Sequence, residues 1–250
     1  SNKRFFMRLW GKKESQAFDF GLLKTDMHSH LLPGIDDGAP DLATSVEMIN
    51  GLIHLGFKKL ITTPHIMQDM YPNKRDDILQ RYEALKQHLE TEGINVELGV
   101  AAEYFLDDNL KKLLADKEPL LTFGNNLVLV EFSMASEQYN FKELLFEMQM
   151  QNYQPVIAHP ERYIYHERSK EFFEELKVAG YLFQLNILSL AGVYGKTVHE
   201  LARYFIKHQY YDIAGTDLHN VHHFTHLQSS SIAHGLKELL DAGKLLNPEL

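Results

Sequence analysis

The chain has 250 residues, 44% of them hydrophobic and 24% charged, with a formal net charge of −9 at pH 7. This is an ordinary globular composition, and the length suits one large α/β domain with a substantial core. The acidic balance argues against a general nucleic-acid binder, which needs a basic face. The absence of cysteine excludes disulfides and any cysteine-nucleophile mechanism, that of thiol phosphatases included.

Residues 1–20 open basic and aromatic, with Phe5, Phe6, Leu9 and Trp10 set among Lys and Arg. This segment has two readings: packing or fraying at the end of its own domain, or contact with a membrane surface or a partner. It lacks the apolar stretch and small-residue cleavage site of a signal peptide. No apolar run approaches the roughly 18–20 residues that span a bilayer. A cytoplasmic protein that does not cross a membrane is therefore expected, with a single domain over residues 21–250.

In chain order, residues 22–26 are apolar, end in a carboxylate and read as a buried strand. His28 and His30 follow, two positions apart, so on extended backbone both rings reach one point. Past the Pro33-Gly34 turn signal, Asp36 and Asp37 bring carboxylates back toward the same place. Helical spacing predicts a helix over 41–56, with Asp41 as cap and Gly56 as stop. The strand 58–63 runs into Pro64-His65, and a polar helix over 73–92 leads to a strand at 95–102 with Glu103 at its end. Residues 105–117 read as helical, 127–130 as an apolar strand ending at Glu131, and 138–152 as a helix. The strand 155–158 delivers His159-Pro-Glu-Arg162. A helix over 168–179, a strand over 181–185 and a helix over 197–208 precede the last strand, 211–214. That strand leads to Asp217-Leu-His219, and the helix 232–242 closes the chain.

About seven strands alternating with helices predict a parallel sheet covered by helices, either doubly wound or closed into a barrel. His65, Glu103, Glu131, His159, Asp217 and His219 all fall at or just past the C-terminal end of a strand. A doubly wound sheet concentrates its site at one crevice, whereas a barrel builds its site from many strand ends, so this spread favours the barrel. With His28, His30 and Asp37 these residues make nine nitrogen and oxygen ligand candidates, enough for two or three metal ions if one carboxylate bridges. Taken singly, each has a bland reading as a satisfied loop histidine or a helix-capping acid. Their coincidence at so many strand ends is the signal. His54, His88, His199, His208 and His234 fall within helices and read as surface or interhelical. His222, His223 and His226 lie in a loop after the last ligand pair. Arg162 is placed either to grip phosphate in a bidentate fork or to pair with Glu161.

The segments TDMHSHLLPGIDDGAPD, TTPH, VEF, IAHPER and GTDLHN, with the strand-end Glu103, resemble the polymerase-and-histidinol-phosphatase (PHP) superfamily. More narrowly, they resemble the metal-dependent protein-tyrosine phosphatases of bacterial capsule and exopolysaccharide loci, of the CpsB/CapC type. The resemblance runs from about Leu23 to the C-terminal helix. It implies a distorted (β/α)7 barrel, TIM-like, carrying two or three manganese, iron or zinc ions. His28 and His30 are then expected to hold the first ion with Glu103 and Asp217, and Glu103 to bridge to a second ion held by Glu131 and His159. Asp37, His65 and His219 are expected to serve the third. Arg162 is expected on the phosphate, and Arg162, Glu103 and Asp217 in catalysis. Relatives often carry another arginine after the last Asp-x-His. Here that stretch is Asn220-Val-His-His-Phe224, which makes His222 and His223 the expected substrate-binding substitutes. Gln184, Asn186 and the Leu190-Ala-Gly192 stretch are expected to shape the pocket wall.

The implied activity is hydrolysis of phosphotyrosine on a protein, the tail of a membrane-bound tyrosine kinase of polysaccharide export. Two other readings stand beside it: a small-molecule phosphomonoesterase of the histidinol-phosphatase kind, and a non-catalytic metal-binding scaffold.

Overall fold

The computed structural model describes residues 17–250, so most of the basic, aromatic segment singled out above lies outside the described residues. The strands are β1 (Thr25–Asp26), β2 (Lys59–Thr62), β3 (His65–Ile66), β4 (Glu97–Val100), β5 (Glu103–Phe105), β6 (Leu127–Glu131), β7 (Gln154–Ala158), β8 (Leu182–Asn186) and β9 (Tyr211–Gly215). The α-helices are α1 (Leu42–Leu55), α2 (Arg75–Thr91), α3 (Asp108–Ala115), α4 (Phe141–Met150), α5 (Lys170–Val178), α6 (Lys196–Lys207), α7 (His223–Leu227) and α8 (Ser230–Asp241).

All ladders are parallel, and they fall into a β1-β2-β4 sheet and a β3-β5-β6-β7-β8-β9 sheet. The division is a local interruption. Pro64, which has no N–H to donate, falls between β2 and β3, while Ala101 and Ala102 separate β4 from β5. Treating each interrupted pair as one strand leaves seven positions in a row. The first and last positions also meet. Beyond β1 and β9, Asp217 N donates to His28 O at 2.8 Å and His30 N to Leu218 O at 3.0 Å. On the opposite side, the buried Asn247 side chain donates to Thr25 O (2.9 Å) and Ala214 O (2.7 Å) and accepts from Ala214 N (2.9 Å). Thr216, just past β9, adds bonds from its N and Oγ1 to the Asp26 carboxylate (2.9 and 2.6 Å), so the ring is joined between β1 and β9 by backbone and side-chain bonds rather than a full ladder.

Strand alternation sorts the side chains. On β6, Val128 and Val130 join the large core under the helices, whereas Leu129 joins a smaller cluster with Met27, Ile61, Val156, Ala158 and Ile213 inside the ring. Glu131, two residues beyond Leu129, continues the inward set at the strand's C-terminal end. The helices form where the chain can cap them and bury one face. Asp41 accepts from Thr44 N at 2.8 Å to start α1, and Gly56, at φ 117°, ends it. On α6, Val198, Leu201, Ala202, Phe205 and Ile206 form the buried stripe.

Three expectations need correction. Residues 22–26 are not one strand: a 3-10 turn covers Phe20–Leu22, and pairing begins only at Thr25. The helix expected from 105 begins at Asp108, because Phe105 pairs with Glu131 on β6 and Asp107 caps the helix through Leu110 N. The stretch holding His223 and His226 is a short helix, α7, rather than an open loop.

Candidate metal centre and phosphate cleft

The nine ligand candidates converge at the C-terminal ends of the strands. His28 Nε2 lies 3.2 Å from Glu103 Oε2 and 3.1 Å from Asp217 Oδ1. His30 Nε2 lies 3.3 and 3.1 Å from the same two oxygens. His65 Nδ1 stands 3.3 Å from Glu103 Oε2 and 3.7 Å from Glu131 Oε1. His159 Nε2 faces Glu103 Oε1 at 3.3 Å and Glu131 Oε2 at 3.4 Å. Asp37 Oδ1 lies 3.4 Å from His65 Nε2 and 3.3 Å from His219 Nε2. Three sets of donor atoms, each within 4.8 Å of one another, result: His28, His30, Glu103 and Asp217; His65, Glu103 and Glu131; and His30, Asp37, His65 and His219. Glu103 belongs to two sets, and His65 offers Nδ1 to one and Nε2 to another.

Backbone geometry aims these groups. His159 (φ 36°) and Asp217 (φ 51°) both occupy the left-handed region, unusual for residues with a Cβ, and sit just past β7 and β9. Close packing behind the rings requires glycine: a Cβ on Gly38 would lie 2.4 Å from His30 Cβ, and one on Gly215 2.6 Å from His28 Cβ.

A second ring of partners orients the imidazoles. His28 Nδ1 meets Gln184 Oε1 at 2.8 Å, His30 Nδ1 meets Asp36 Oδ2 at 3.0 Å, and His219 Nδ1 meets Asp217 O at 2.8 Å. Each acceptor assigns the ring proton to Nδ1 and leaves the Nε2 lone pair facing the cluster. Asp36, read from sequence as a carboxylate returning toward the two histidines but not counted among the nine ligand candidates, also accepts from His65 N (3.0 Å) and Gly38 N (2.9 Å). Gln184 and Asn186, expected only as pocket wall, bond directly to site groups: Asn186 Nδ2 donates to Asp217 Oδ2 at 2.9 Å.

Electrostatically the cluster calls for cations. Burial opposes charge on His28, but Asp217 and Glu103 outweigh it and hold its pKa well above the usual range. The same opposition leaves His159 pushed up to about 9 by its bonds to Glu103 and Glu131. Burial would raise Glu103 and Asp217, yet the adjacent His28 keeps both well below ordinary carboxylates. Despite this crowding, His28 Nε2, His65 Nδ1 and Glu103 Oε2 are buried without a hydrogen bond of acceptable geometry. Donor atoms that approach one another without bonding, on imidazoles and carboxylates together, fit the hard-to-borderline metal ions that take such ligands.

The centre opens into a cleft of about 610 Å³ whose lining includes Met67, Met70, Tyr71, Phe105, Phe132 and Met134 as well as Arg162. Arg162 does not pair with Glu161. Glu161 turns into the core, where it accepts from Tyr211 Oη (2.8 Å) and Ser189 Oγ (3.1 Å), and burial pushes its pKa up to about 7. Arg162 instead places Nη1 3.8 Å from Asp217 Oδ2 and stacks on Tyr194, a residue that carried no signal in the sequence. His223 lines the cleft, but burial and the neighbouring His219 push its pKa down to about 4, so it adds no positive charge at neutral pH. His222 is exposed ahead of α7 and is not part of the cleft lining.

A parallel α/β fold with a His/Asp/Glu cluster at its strand ends has the architecture of a barrel enzyme and a donor set that fits metal ions. The family model described as "Capsular polysaccharide synthesis, CpsB/CapC" matches residues 24–233, and the chain belongs to that family. It is 29% identical over 196 residues to the tyrosine-protein phosphatase YwqE of Bacillus subtilis, covering 78% of this chain and 77% of that protein. It is also 29% identical over 202 residues to the tyrosine-protein phosphatase CpsB of Streptococcus agalactiae, covering 78% of this chain and 83% of the relative. A solved structure from work on YwqE of Bacillus subtilis and CpsB of Streptococcus pneumoniae, described as unique metal-dependent tyrosine phosphatases, aligns at TM-score 0.77. That match has 27% identity and covers 90% of each chain.

Proposed function

We propose that this protein is a metal-dependent phosphatase that hydrolyses phosphotyrosine on proteins. The observation that carries this reading is the meeting, in one cleft, of the orphaned donor cluster, a stacked guanidinium and a wall of aromatic and thioether side chains. His28, His30, Glu103 and Asp217 would hold one ion. Glu103, Glu131 and His159, with His65 Nδ1 nearby, would hold a second, and Asp37, His65 and His219 a third; manganese, iron and zinc all suit these ligands. When bound, the ions supply positive charge toward the phosphate oxygens and acidify water enough for it to act as nucleophile at neutral pH.

The chain's own residues do the rest. Arg162 offers a planar pair of N–H donors to the phosphate oxygens, where charge concentrates in the transition state. Met67, Tyr71, Phe105 and Phe132 offer an apolar lining against which a phenyl ring can shed water. The chain has no cysteine, so a thiol intermediate is excluded, and the proposed route needs no covalent enzyme intermediate. The family and the named activities of its relatives support a tyrosine-phosphorylated protein as substrate, and we assign it to the tail of a tyrosine kinase that serves polysaccharide export. A cytoplasmic site of action suits that substrate. Among the described residues, no helix is long and apolar enough to cross a membrane.

The test is phosphate release from a phosphotyrosine peptide by protein stripped with chelator and reloaded with Mn²⁺ or Zn²⁺. Phosphoserine peptide and small phosphate monoesters serve as competitors. Loss on stripping, recovery on reloading and preference for the phosphotyrosine peptide are expected. Full turnover by metal-free protein, or preference for a small monoester, would overturn the proposal.

A further inference from the structure

We infer that Tyr194 is a positioning residue that holds Arg162 in its phosphate-gripping pose, with Asn186 tying this clamp to Asp217. The inference rests on the phosphatase reading for what the clamp holds, and on three independent contacts for the clamp itself. The guanidinium carbon of Arg162 lies 4.0 Å from the centroid of the Tyr194 ring, within range of a cation–π contact. The Tyr194 hydroxyl accepts a hydrogen bond from Asn186 Nδ2 at 3.1 Å. The same nitrogen donates to Asp217 Oδ2 at 2.9 Å, the oxygen that lies 3.8 Å from Arg162 Nη1. Asn186 Oδ1 is committed elsewhere, accepting from Leu188 N at 3.0 Å, which fixes which way the amide points.

The two carboxylate oxygens of Asp217 therefore have separate duties. Oδ1 faces His28, His30 and His219, while Oδ2 faces Asn186 and Arg162. Arg162 reaches the cleft at the end of a short 3-10 turn, and its side chain is 26% exposed. At 3.8 Å its contact with Asp217 is a loose ion pair, too long for a hydrogen bond, so the carboxylate alone does not fix the fork. A flat ring against one face of the guanidinium restricts its rotation and leaves the in-plane N–H groups free to point at an oxyanion. Tyr194 comes from the turn between Gly192 (φ 73°) and Gly195 (φ 97°), whose left-handed backbone carries it to the cleft just before α6.

If Tyr194 acts through Arg162, its ring matters more than its hydroxyl, and its effect vanishes once Arg162 is gone. Metal-reloaded wild type, Tyr194→Leu, Tyr194→Phe, Arg162→Ala and the Arg162→Ala/Tyr194→Leu double variant are to be compared. The readouts are binding of inorganic phosphate by calorimetry and kcat and KM on a phosphotyrosine peptide. Tyr194→Leu is expected to weaken phosphate binding and lower kcat/KM by roughly five- to thirtyfold, the range of a partly desolvated cation–π contact. Tyr194→Phe, which keeps the ring, should recover most of that loss, and adding Tyr194→Leu to Arg162→Ala should cost nothing further.

Equal damage from Phe and Leu, or a full additional loss in the double variant, would overturn the inference. So would a raised KM for the peptide with phosphate binding untouched, which would assign Tyr194 to the substrate's own ring. Metal content and thermal midpoint are measured for every variant. Should Tyr194→Leu not fold, Tyr194→Met fills similar space without a flat ring and takes its place. Because phosphate binding is read without turnover, a protein that binds phosphate through this clamp but spares phosphotyrosine would refute the substrate reading alone.

Discussion

His65 and Glu103 occupy directly paired positions on the adjacent strands β3 and β5, and the pairing sets His65 Nδ1 3.3 Å from Glu103 Oε2. Strand register therefore fixes this contact. Glu103 also reaches His28 and His30 through Oε2 and His159 through Oε1, so it is the carboxylate common to two donor sets. The substitution Glu103→Gln preserves size and removes the shared charge. Its expected result is a folded protein that has lost bound metal and nearly all activity, checked by elemental analysis, circular dichroism and phosphate release. Normal metal content and turnover would refute a bridging role.

Asp36 supports the centre from behind. It accepts from His30 Nδ1, from the backbone of His65 and from Gly38, and so sets both the tautomer and the seat of two ligand candidates. Removing such an orienting partner typically costs on the order of ten- to a hundredfold in metal affinity. For Asp36→Ala we expect metal affinity to fall by that amount, with activity partly restored at high metal concentration. A competition titration against a chelator of known affinity measures it.

Among the described residues, Arg162 is the one arginine lining the cleft. A hydrogen bond to a charged partner contributes on the order of 1.5–3 kcal/mol, so Arg162→Ala should lower kcat/KM by roughly ten- to a hundredfold or more. His223→Ala should change turnover far less at neutral pH, because burial keeps that ring uncharged. Steady-state kinetics of the two variants side by side decide whether the guanidinium carries the phosphate contact.

Asn247 is predicted to matter for stability rather than chemistry. Its buried side chain makes three bonds that join β1 to β9, and removal would leave Thr25 O and the Ala214 backbone without those partners. Asn247→Ala should destabilise the fold by roughly 2–4 kcal/mol, read as a lower denaturant midpoint, while metal-loaded kcat stays near normal well below that midpoint.

The sequence alone determined the order of strands and helices and the placement of the ligand candidates, because both follow from local rules. Apolar runs with period 2 or 3.6 declare the elements, and a parallel strand presents polar residues where it ends. His28, His30, Glu103, Glu131, His159 and Asp217 were legible for that reason, and the repeated strand-end pattern distinguished a barrel from a doubly wound sheet. Pairwise facts settled only by three-dimensional packing were not legible. The register of His65 with Glu103, the left-handed turns at His159 and Asp217, and the burial of Glu161 against Tyr211 and Ser189 depend on groups brought together from distant positions. Asp36 and Asp37 are neighbours with the same chemistry, yet only the folded chain turns one behind His30 and the other toward His65 and His219. Tyr194 shows the limit most plainly. Nothing within its own stretch of chain refers to Arg162, 32 positions earlier, and the ring meets the guanidinium because β7 and β8 lie side by side. Local sequence fixes which groups a chain can offer, but a contact distance between remote residues is a property of the closed ring.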